Sequence, residues 1–460
     1  MLRQWQKICI RSVLEKYHSE QKHFLCQATP GAGKTLMAAR VAKSLLESDE
    51  IDLVLCFSPS LTVADGIRNT FSWQLECPFD GGLGAVGASY TYQSLKFLGD
   101  LFWKTISKYR VLAIFDEIHH CSGDGTGRSN VWGEQILARI QGMARYTLAL
   151  SGTPWRSDSV PIVMAEYTDP EGHIICDYQY GLKQAIDDGV CRAPKIVLVD
   201  NEHLTISEGA ETKSFSSILE LLRQTKTSYQ SVLHNNEAMQ YLLGLGCAKL
   251  TEIRQENPSA GGLVVASSVK HARKIQELLT EQFHQTATLV TYHHDMPLKT
   301  IDEFRNSESQ WIVSVGMISE GTDIPRLQVC CHLSSVKTEL YFRQVLGRIL
   351  RVNNSQNQQA WLYTFAEENL IGFAERIEQD IPDTCLFTKQ FEGSDFYGGD
   401  DLKNSSPQND TSSLFPGRIE DIAWSNSLTE SPVDAIGSNP PIFDELRLGR
   451  FRQQVISAFS

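Results

Sequence analysis

The sequence lacks the features that mark several large classes of protein. No stretch of its 460 residues approaches the roughly 20 apolar residues of a membrane span, and its amino-terminal residues have no signal-peptide core. The 11 cysteines include no Cys-x-x-Cys pair, which excludes zinc-ribbon spacing, and no repeat of fixed period is visible. These absences predict a cytoplasmic protein in a reducing compartment, with no membrane partner.

The chain also lacks an excess of positive charge. It has 42 Lys and Arg against 55 Asp and Glu, a net charge of −13. This balance excludes a wholly basic surface that clamps nucleic acid, although a local basic groove is compatible with it, because only the charges along the binding path matter. The hydrophobic fraction of 42% is ordinary for a globular protein, and the length predicts two or three domains.

A glycine-rich segment, Ala-Thr-Pro-Gly-Ala-Gly-Lys-Thr, occupies residues 28–35. An apolar run that suits a buried strand precedes it, and a stretch typical of a helix follows. Glycines allow the tight turn that points backbone N–H groups at an anion, a lysine supplies charge and a threonine hydroxyl suits Mg²⁺. The segment predicts a phosphate-binding loop, although its first position is alanine where the general pattern has glycine. The expected nucleotide-binding residues are Thr29, Gly31, Ala32, Gly33, Lys34 and Thr35.

Two carboxylates, Asp116 and Glu117, follow the apolar run 111–115. A carboxylate at the end of a buried strand beside a phosphate loop is suited to hold Mg²⁺, so Asp116 and Thr35 are the predicted metal ligands. The neighbouring Glu117 can orient and polarise an attacking water molecule. The pair therefore indicates hydrolysis of a nucleoside triphosphate.

Short apolar runs alternate with helical stretches along most of the chain, which predicts an α/β fold with mostly parallel sheets. The first set of strands is expected at 24–26, 53–57, 111–115, 147–150 and 196–199, and the second at 263–266, 288–291, 311–315, 329–333 and 360–365. We expect domains at 1–200 and 261–391, a helical connector at 201–260, and a linker and tail at 392–460. Within the tail, a few short helices are expected after residue 417.

The phosphate loop and the Asp-Glu-x-His motif together resemble those of superfamily 2 helicases and translocases. The resemblance implies two tandem RecA-like domains that bind ATP and Mg²⁺ in the cleft between them, with a short carboxy-terminal appendage outside the match. It covers residues 1–370 and is closest to the branch of restriction-type translocases and DNA-repair helicases. It therefore implies a nucleic-acid partner, with DNA favoured over RNA.

Residues 344–351 match the motif VI pattern Gln-x-x-Gly-Arg-x-x-Arg. On a helix, Gln344, Arg348 and Arg351 share one face. Two guanidinium groups on one face suit the charge that develops on a transferring phosphoryl group, and such an arginine finger raises rates by roughly 10³–10⁵. Motif VI is therefore predicted to complete the catalytic set of Lys34, Asp116 and Glu117.

The remaining motif matches give the other expected site residues. The resemblance assigns adenine recognition to Gln6 and the nucleotide-facing part of motif V to Gly321 and Asp323. It assigns coupling of hydrolysis to domain movement to His119, Ser151 and Thr153. Contacts to the nucleic-acid backbone are expected from Ser60, Thr91 and Ser267.

Three functions fit these motifs. The first is an ATP-driven helicase or translocase that moves along DNA. The second is a duplex translocase without strand separation, acting in a restriction or defence complex with a partner such as a nuclease or loader. The third is a nucleotide-gated binding module that barely hydrolyses ATP, against which the intact Glu117 and Arg351 argue.

Overall fold

The computed structural model describes residues 2–118, 130–152, 166–167, 174–208, 211–291, 296–316, 322–353, 355–378 and 445–457. The helices in these ranges are α1 (Gln4–His18), α2 (Lys34–Glu47), α3 (Leu61–Leu75), α4 (Asp100–Lys108), α5 (Asn130–Met143), α6 (Leu182–Asp187), α7 (Ile218–Gln224), α8 (Tyr229–His234), α9 (Asn236–Glu256), α10 (Val269–Glu277), α11 (Pro297–Arg305), α12 (Glu339–Ile349) and α13 (Glu368–Glu378). A 3₁₀ helix, Tyr92–Phe97, and a π-helical turn, Leu278–Gln282, are also present.

The strands form two main sheets and two small ones. In chain order they are β1 (His23–Ala28), β2 (Leu53–Ser58), β3 (Gly87–Thr91), β4 (Val111–Asp116), β5 (Tyr146–Ser151), β6 (Glu166–Tyr167), β7 (Ile174–Ile175), β8 (Tyr178–Tyr180), β9 (Pro194–Asn201), β10 (Leu204–Glu208), β11 (Glu211–Phe215), β12 (Gly261–Ala266), β13 (Ala287–Val290), β14 (Trp311–Ser314), β15 (Leu327–Leu333), β16 (Ala360–Phe365), β17 (Glu445–Leu448) and β18 (Phe451–Ser457).

The first main sheet has six strands in the order β3-β2-β4-β5-β1-β8, and every neighbouring pair is parallel. The second has seven strands in the order β13-β14-β12-β15-β16-β9-β18 and is parallel except for β18, which is antiparallel to β9. All residues of β4, β5, β12 and β15 are buried, as expected when helices cover both faces of a parallel sheet. The predicted α/β class with two parallel sheets is confirmed.

Several helices that follow strands have a hydroxyl side chain at the N-cap, where it accepts a backbone N–H of the first turn. The Oγ of Ser60 accepts the backbone N–H of Val63 at the start of α3, and the Thr338 hydroxyl accepts that of Tyr341 at the start of α12. Such caps satisfy backbone donors that have no partner within the helix. They place helix amino termini beside the carboxyl ends of the strands, where binding sites form in this class of fold.

The expectation that residues 196–199 belong to the first sheet is wrong. They lie in β9, which pairs with β16 from Pro194↔Ala360 to Val199↔Phe365 in the second sheet. An apolar run specifies a buried strand, but the choice of sheet depends on partners more than 150 residues away. We therefore propose that the boundary between the domains falls between α6 and β9, before residue 200.

The predictions for the connector and the tail also need correction. Helices α7, α8 and α9 occur where a helical connector was expected, but the hairpin of β10 and β11 precedes them. In the tail, residues 445–457 form β17 and β18 where short helices were expected. Strand β17 pairs with the edge of β10, and β18 pairs with the edge of β9. Within the described part of the chain, no helix has the length and apolar character that a membrane span requires.

Candidate functional site

The predicted phosphate loop connects β1 to α2. Gly31 and Gly33 have φ angles of 83° and 93°, the left-handed region that favours glycine, and the N–H of Ala32 donates to the Thr29 carbonyl at 3.1 Å. Lys34 and the half-buried Thr35 form the first turn of α2, a helix of 14 residues. The loop and the helix amino terminus together provide the geometry of an anion site.

The amino-terminal helix holds this loop through two side chains. Gln6 donates from Nε2 to the Gly33 carbonyl at 2.9 Å and accepts the backbone N–H of Arg3 at Oε1 at 2.8 Å. Arg3 donates from Nη1 to the carbonyls of Ala32 at 2.7 Å and Gly31 at 3.2 Å. Gln6, only 1% exposed, therefore binds the loop backbone, and its contact with adenine stays a prediction. Sequence reasoning missed Arg3, whose only signal was its place three residues before Gln6.

Lys34 joins the loop to the ends of two strands. Its Nζ lies 3.1 Å from Oε1 of Glu117 and 3.1 Å from the Ala28 carbonyl. The other carboxylate oxygen of Glu117 accepts the N–H of Gly152 at 3.0 Å and lies 3.5 Å from the Ser151 hydroxyl. Three predicted motifs, the phosphate loop, the Asp-Glu pair and the segment after β5, therefore meet at one carboxylate.

The backbone around this carboxylate supports a functional role. Glu117 has φ of 49°, which is unusual for a residue with a side chain and often marks a functional site. Asp116, at the end of β4, is 7% exposed, and its carbonyl accepts the hydroxyl of Tyr92 at 2.8 Å. Tyr92 directly follows Thr91, one of the expected nucleic-acid contacts, and the sequence alone did not connect this segment to Asp116.

The predicted magnesium ligands suit an ion held mainly by its substrate. In the ranges that the structure describes, no group of three or more His, Cys, Asp or Glu residues could hold a metal. Mg²⁺ in nucleotide sites keeps several waters and takes one or two protein ligands beside phosphate oxygens. Thr35 at the start of α2 and Asp116 at the end of β4 fit that pattern.

The second sheet reaches the phosphate loop through α12. A Cβ atom at Gly347 would lie only 2.8 Å from the Cβ of Pro30, so glycine permits this close approach. A Cβ at Gly31 would lie 3.3 Å from Cγ of Arg351, which places the stem of this arginine against the loop. The two sheets therefore contribute to one pocket at Pro30 and Gly31.

The predicted finger arginines contact the segment that follows Gly321. Arg348 donates from Nη1 to the Thr322 carbonyl at 2.8 Å, and Arg351 forms an ion pair with Asp323. Burial lowers the pKa of Arg351 to about 10, which leaves its guanidinium charged at neutral pH. Gln344 lies on the same helix and is half-buried.

The residues expected to touch nucleic acid have structural partners. The hydroxyl of Ser60 caps α3, and the Thr91 carbonyl accepts the Ser94 hydroxyl at 2.7 Å. The Ser267 hydroxyl lies 2.8 Å from both Nε2 of His234 and Nδ1 of His271. Contacts of these three residues with a nucleic-acid strand stay a prediction. The predicted His119, Thr153 and Gly321 lie outside the described residues.

Comparison with known proteins extends these observations. Residues 1–156 match the family model for the type III restriction enzyme res subunit, and residues 246–353 match that for the helicase conserved C-terminal domain. An uncharacterised protein of Mycobacterium leprae is 32% identical over 391 residues, covering 82% of this chain and 64% of that protein. The chain thus spans less than two thirds of this relative. The DNA 3'-5' translocase XPB2 of Sulfurisphaera tokodaii is 23% identical, covering 77% of this chain and 80% of the translocase.

Solved structures show the same fold at low sequence identity. A DNA-bound type ISP restriction-modification enzyme, LlaBIII, has a TM-score of 0.53 and 13% identity, covering 84% of this chain and 29% of that one. A fragment of an HsdR subunit of a type I restriction enzyme from Vibrio vulnificus has a TM-score of 0.53 and 17% identity, covering 81% and 65%. The two parallel sheets are therefore tandem RecA-like domains, as the motifs predicted. With both parts of the helicase core matched, the chain belongs to the helicase-like proteins of superfamily 2.

Proposed function

We propose that the protein is an ATP-dependent motor on nucleic acid that hydrolyses ATP between its two RecA-like domains. The observation that carries this proposal is the composite pocket. One domain supplies Lys34 and Glu117, and the other supplies Arg351, whose stem packs against Gly31. A pocket built from two domains allows hydrolysis to change how the domains sit relative to each other.

The ion pair of Lys34 with Glu117 indicates how substrate binding would begin. Lys34 is 9% exposed and keeps its charge paired with this carboxylate. When a triphosphate enters, the ammonium group exchanges the carboxylate for phosphate oxygens. Glu117 then stays held by the N–H of Gly152 and can orient the attacking water.

The second domain stabilises the charge that develops during phosphoryl transfer. Arg351 can exchange Asp323 for the γ-phosphate, because the Asp323 side chain is 67% exposed and water can solvate this carboxylate once the pair opens. Thr35 and Asp116 would hold Mg²⁺, which would neutralise the charge of the β- and γ-phosphate groups. Loss of the γ-phosphate removes the partner shared by Lys34 and Arg351 and so weakens the contact between the domains.

DNA is proposed as the nucleic acid on which the motor moves because of the proteins that this chain resembles. The XPB2 relative is named a DNA translocase, and the amino-terminal family model describes a restriction-enzyme subunit. A motor that grips the sugar-phosphate backbone needs no base sequence. We therefore expect DNA of any sequence to stimulate the ATPase. We also expect a cytoplasmic protein that depends on a partner for loading or cleavage.

The test is the ATPase rate measured with single- and double-stranded DNA and RNA. Lys34→Ala should abolish turnover, because it removes the cation of the phosphate loop. Lys43→Ala is the matched control, since Lys43 lies on the same helix α2 and pairs at the surface with Glu76. If Lys34→Ala hydrolysed ATP as fast as Lys43→Ala, the phosphate loop would have no part in the mechanism.

A duplex translocase without strand separation is the second candidate, favoured by the translocase activity for which XPB2 is named and by the restriction-enzyme family model. A labelled duplex separates the two candidates. Stimulation of the ATPase by duplex without displacement of a strand supports the translocase, whereas ATP-dependent displacement supports the helicase. Turnover near zero with every nucleic acid would favour a nucleotide-gated binding module.

A further inference from the structure

The crossover between the two domains carries an arginine that no motif explains. Arg192 lies between α6 and β9 and is 1% exposed. Directly before it, the backbone N–H groups of Val190 and Cys191 donate to the Ala185 carbonyl at the end of the first domain. Arg192 is therefore the first side chain of this segment that enters the second domain.

The guanidinium of Arg192 connects three segments of the second domain. Nη1 donates to the carbonyls of Leu327 at 2.7 Å and Ile349 at 3.1 Å, and Nη2 donates to the Pro325 carbonyl at 3.2 Å. Nε donates to Oε1 of Gln358 at 3.1 Å. The segment beyond Asp323, the end of α12 and the loop before β16 all meet at this one side chain.

Two hydrogen bonds from Arg192, one from its side chain and one from its backbone, cap the helix that carries motif VI. Ile349 is the last residue of α12, and Leu350 follows it. The side chain of Arg192 binds the first carbonyl, and its backbone N–H binds the second at 2.7 Å. Carbonyls at a helix carboxyl terminus lack partners within the helix, and a cation there is favoured by the helix dipole.

The same segment fixes the backbone of the predicted finger. Cys191 forms an antiparallel bridge with Arg351, and the Cys191 Sγ lies 3.7 Å from the Pro30 carbonyl of the phosphate loop. The crossover therefore contacts the phosphate loop on one side and the backbone of Arg351 on the other.

Packing alone does not account for a buried arginine at this position. Among the residues that the structure describes, Arg192 has no carboxylate within ion-pair distance, and burial lowers its pKa to about 10. A buried cation without a counter-charge costs stability that an apolar side chain would not cost. Three of its four side-chain hydrogen bonds hold specific backbone carbonyls, which is what geometric control requires.

We propose that Arg192 is a positioning residue that holds Arg351 at the phosphate loop and thereby couples the domain crossover to ATP hydrolysis. The proposal rests on the proposed ATPase. A finger displaced by about 1 Å loses about 100-fold in rate, while ground-state binding through the phosphate loop is retained.

The experiment compares Arg192→Met and Arg192→Lys for kcat and for the affinity of a fluorescent ATP analogue. Arg192→Met should lower kcat by about 10- to 100-fold and change the affinity by less than about threefold. Arg192→Lys keeps a donor that reaches one carbonyl, so it should recover part of the rate. Rates equal to the wild type in both variants would overturn the proposal.

Arg326→Met is the matched control. Arg326 is also a buried arginine of the second domain, and it donates to the carbonyls of Phe304, Ser259 and Ser309 at 3.0, 3.0 and 2.6 Å. Its loss should lower the unfolding temperature without lowering kcat. An equal fall in kcat would show that any missing guanidinium in this domain disturbs the pocket, and would also overturn the proposal.

A double-mutant cycle with Arg351→Ala tests the route of action. If Arg192 acts through Arg351, its substitution should lower kcat no further once Arg351 is gone, whereas independent effects multiply. If Arg192→Met does not fold, as shown by the absence of a cooperative unfolding transition, Arg192→Lys takes its place in the cycle. Losses of kcat that multiply in the double variant would count against the proposal. Failure of the proposed ATPase function can be distinguished from failure of the proposal for Arg192, because in the former case the wild-type protein would show no ATP turnover that depends on Lys34.

Discussion

Gly347 offers the sharpest test of the pocket, because it is the point where α12 meets the phosphate loop. In Gly347→Ala the new Cβ would lie 2.8 Å from Cβ of Pro30 and 3.3 Å from its Cγ. Pro30 belongs to the constrained loop backbone and cannot rotate away as a flexible side chain would. The helix and the loop must therefore move apart.

The required movement can be worked out from these distances. Ordinary contact between carbon atoms begins at about 3.4 Å and is most favourable near 4.0 Å, so the separation must grow by about 0.6–1.2 Å. Arg351 follows the end of α12 at Ile349 by two residues, so we expect a shift of this helix to displace Arg351 from the loop. A displacement of this size should lower kcat by about 10- to 100-fold.

Steady-state ATPase measurements with saturating nucleic acid, combined with thermal unfolding, provide the assay. Gly372→Ala is the matched control, because Gly372 also lies in a helix of the second domain and, among the described residues, a Cβ there would meet only Arg376 Nη1, at 3.7 Å. Alanine is the better helix former by about 0.5–1 kcal/mol, so the control should be slightly more stable and fully active. A wild-type kcat in Gly347→Ala would refute the inference that the observed approach of α12 is the active geometry.

The remaining predictions concern the carboxylate, the finger and a buried histidine. Glu117→Gln keeps an acceptor for the Gly152 N–H, so a fluorescent ATP analogue should still bind while turnover falls by at least about 100-fold; a full rate would assign the water to another group. Arg351→Ala should lower kcat by about 1000-fold and nucleotide affinity far less; equal losses would argue against a finger. For His332, burial lowers the pKa to about 4, so only the unfolded chain takes up the proton between pH 6.5 and 4, and stability falls as pH falls through that window. His332→Leu should therefore remove about 2 kcal/mol of the stability lost between pH 7.5 and 5 in urea titrations, and an unchanged pH dependence would contradict the burial argument.

Motifs confined to a few residues were predictable because their chemistry is local. The loop at residues 28–35 needs two left-handed glycines, and Gly31 and Gly33 adopt that conformation. The apolar runs that predicted β4 and β12 are buried along their whole length. The spacing of motif VI predicted Gln344, Arg348 and Arg351 on one helical face, and Gln344 and Arg348 do lie in α12. For Arg351 the prediction is wrong, because α12 ends at Ile349 and Arg351 forms a β-bridge with Cys191 instead.

Contacts between distant parts of the chain were not predictable in this way. Arg3 bonds to carbonyls 28 and 29 residues away, and Arg192 bonds to carbonyls 133 to 157 residues away. Arginine is a common surface residue, and neither position has a local pattern that marks it as buried. Only the packing of α1 on the loop, and of the crossover on α12, shows their roles.

The class of fold, the phosphate loop and the charged residues around it could be predicted from short stretches of the chain, because local backbone conformation and the pattern of apolar residues are set within a few residues. The pairing of β9 and the carboxy-terminal β18 with the second sheet, and the packing of Gly347 and Arg351 against the phosphate loop, are visible only in the folded protein. Those choices depend on the free energy of packing whole elements against each other, which no single stretch of sequence contains.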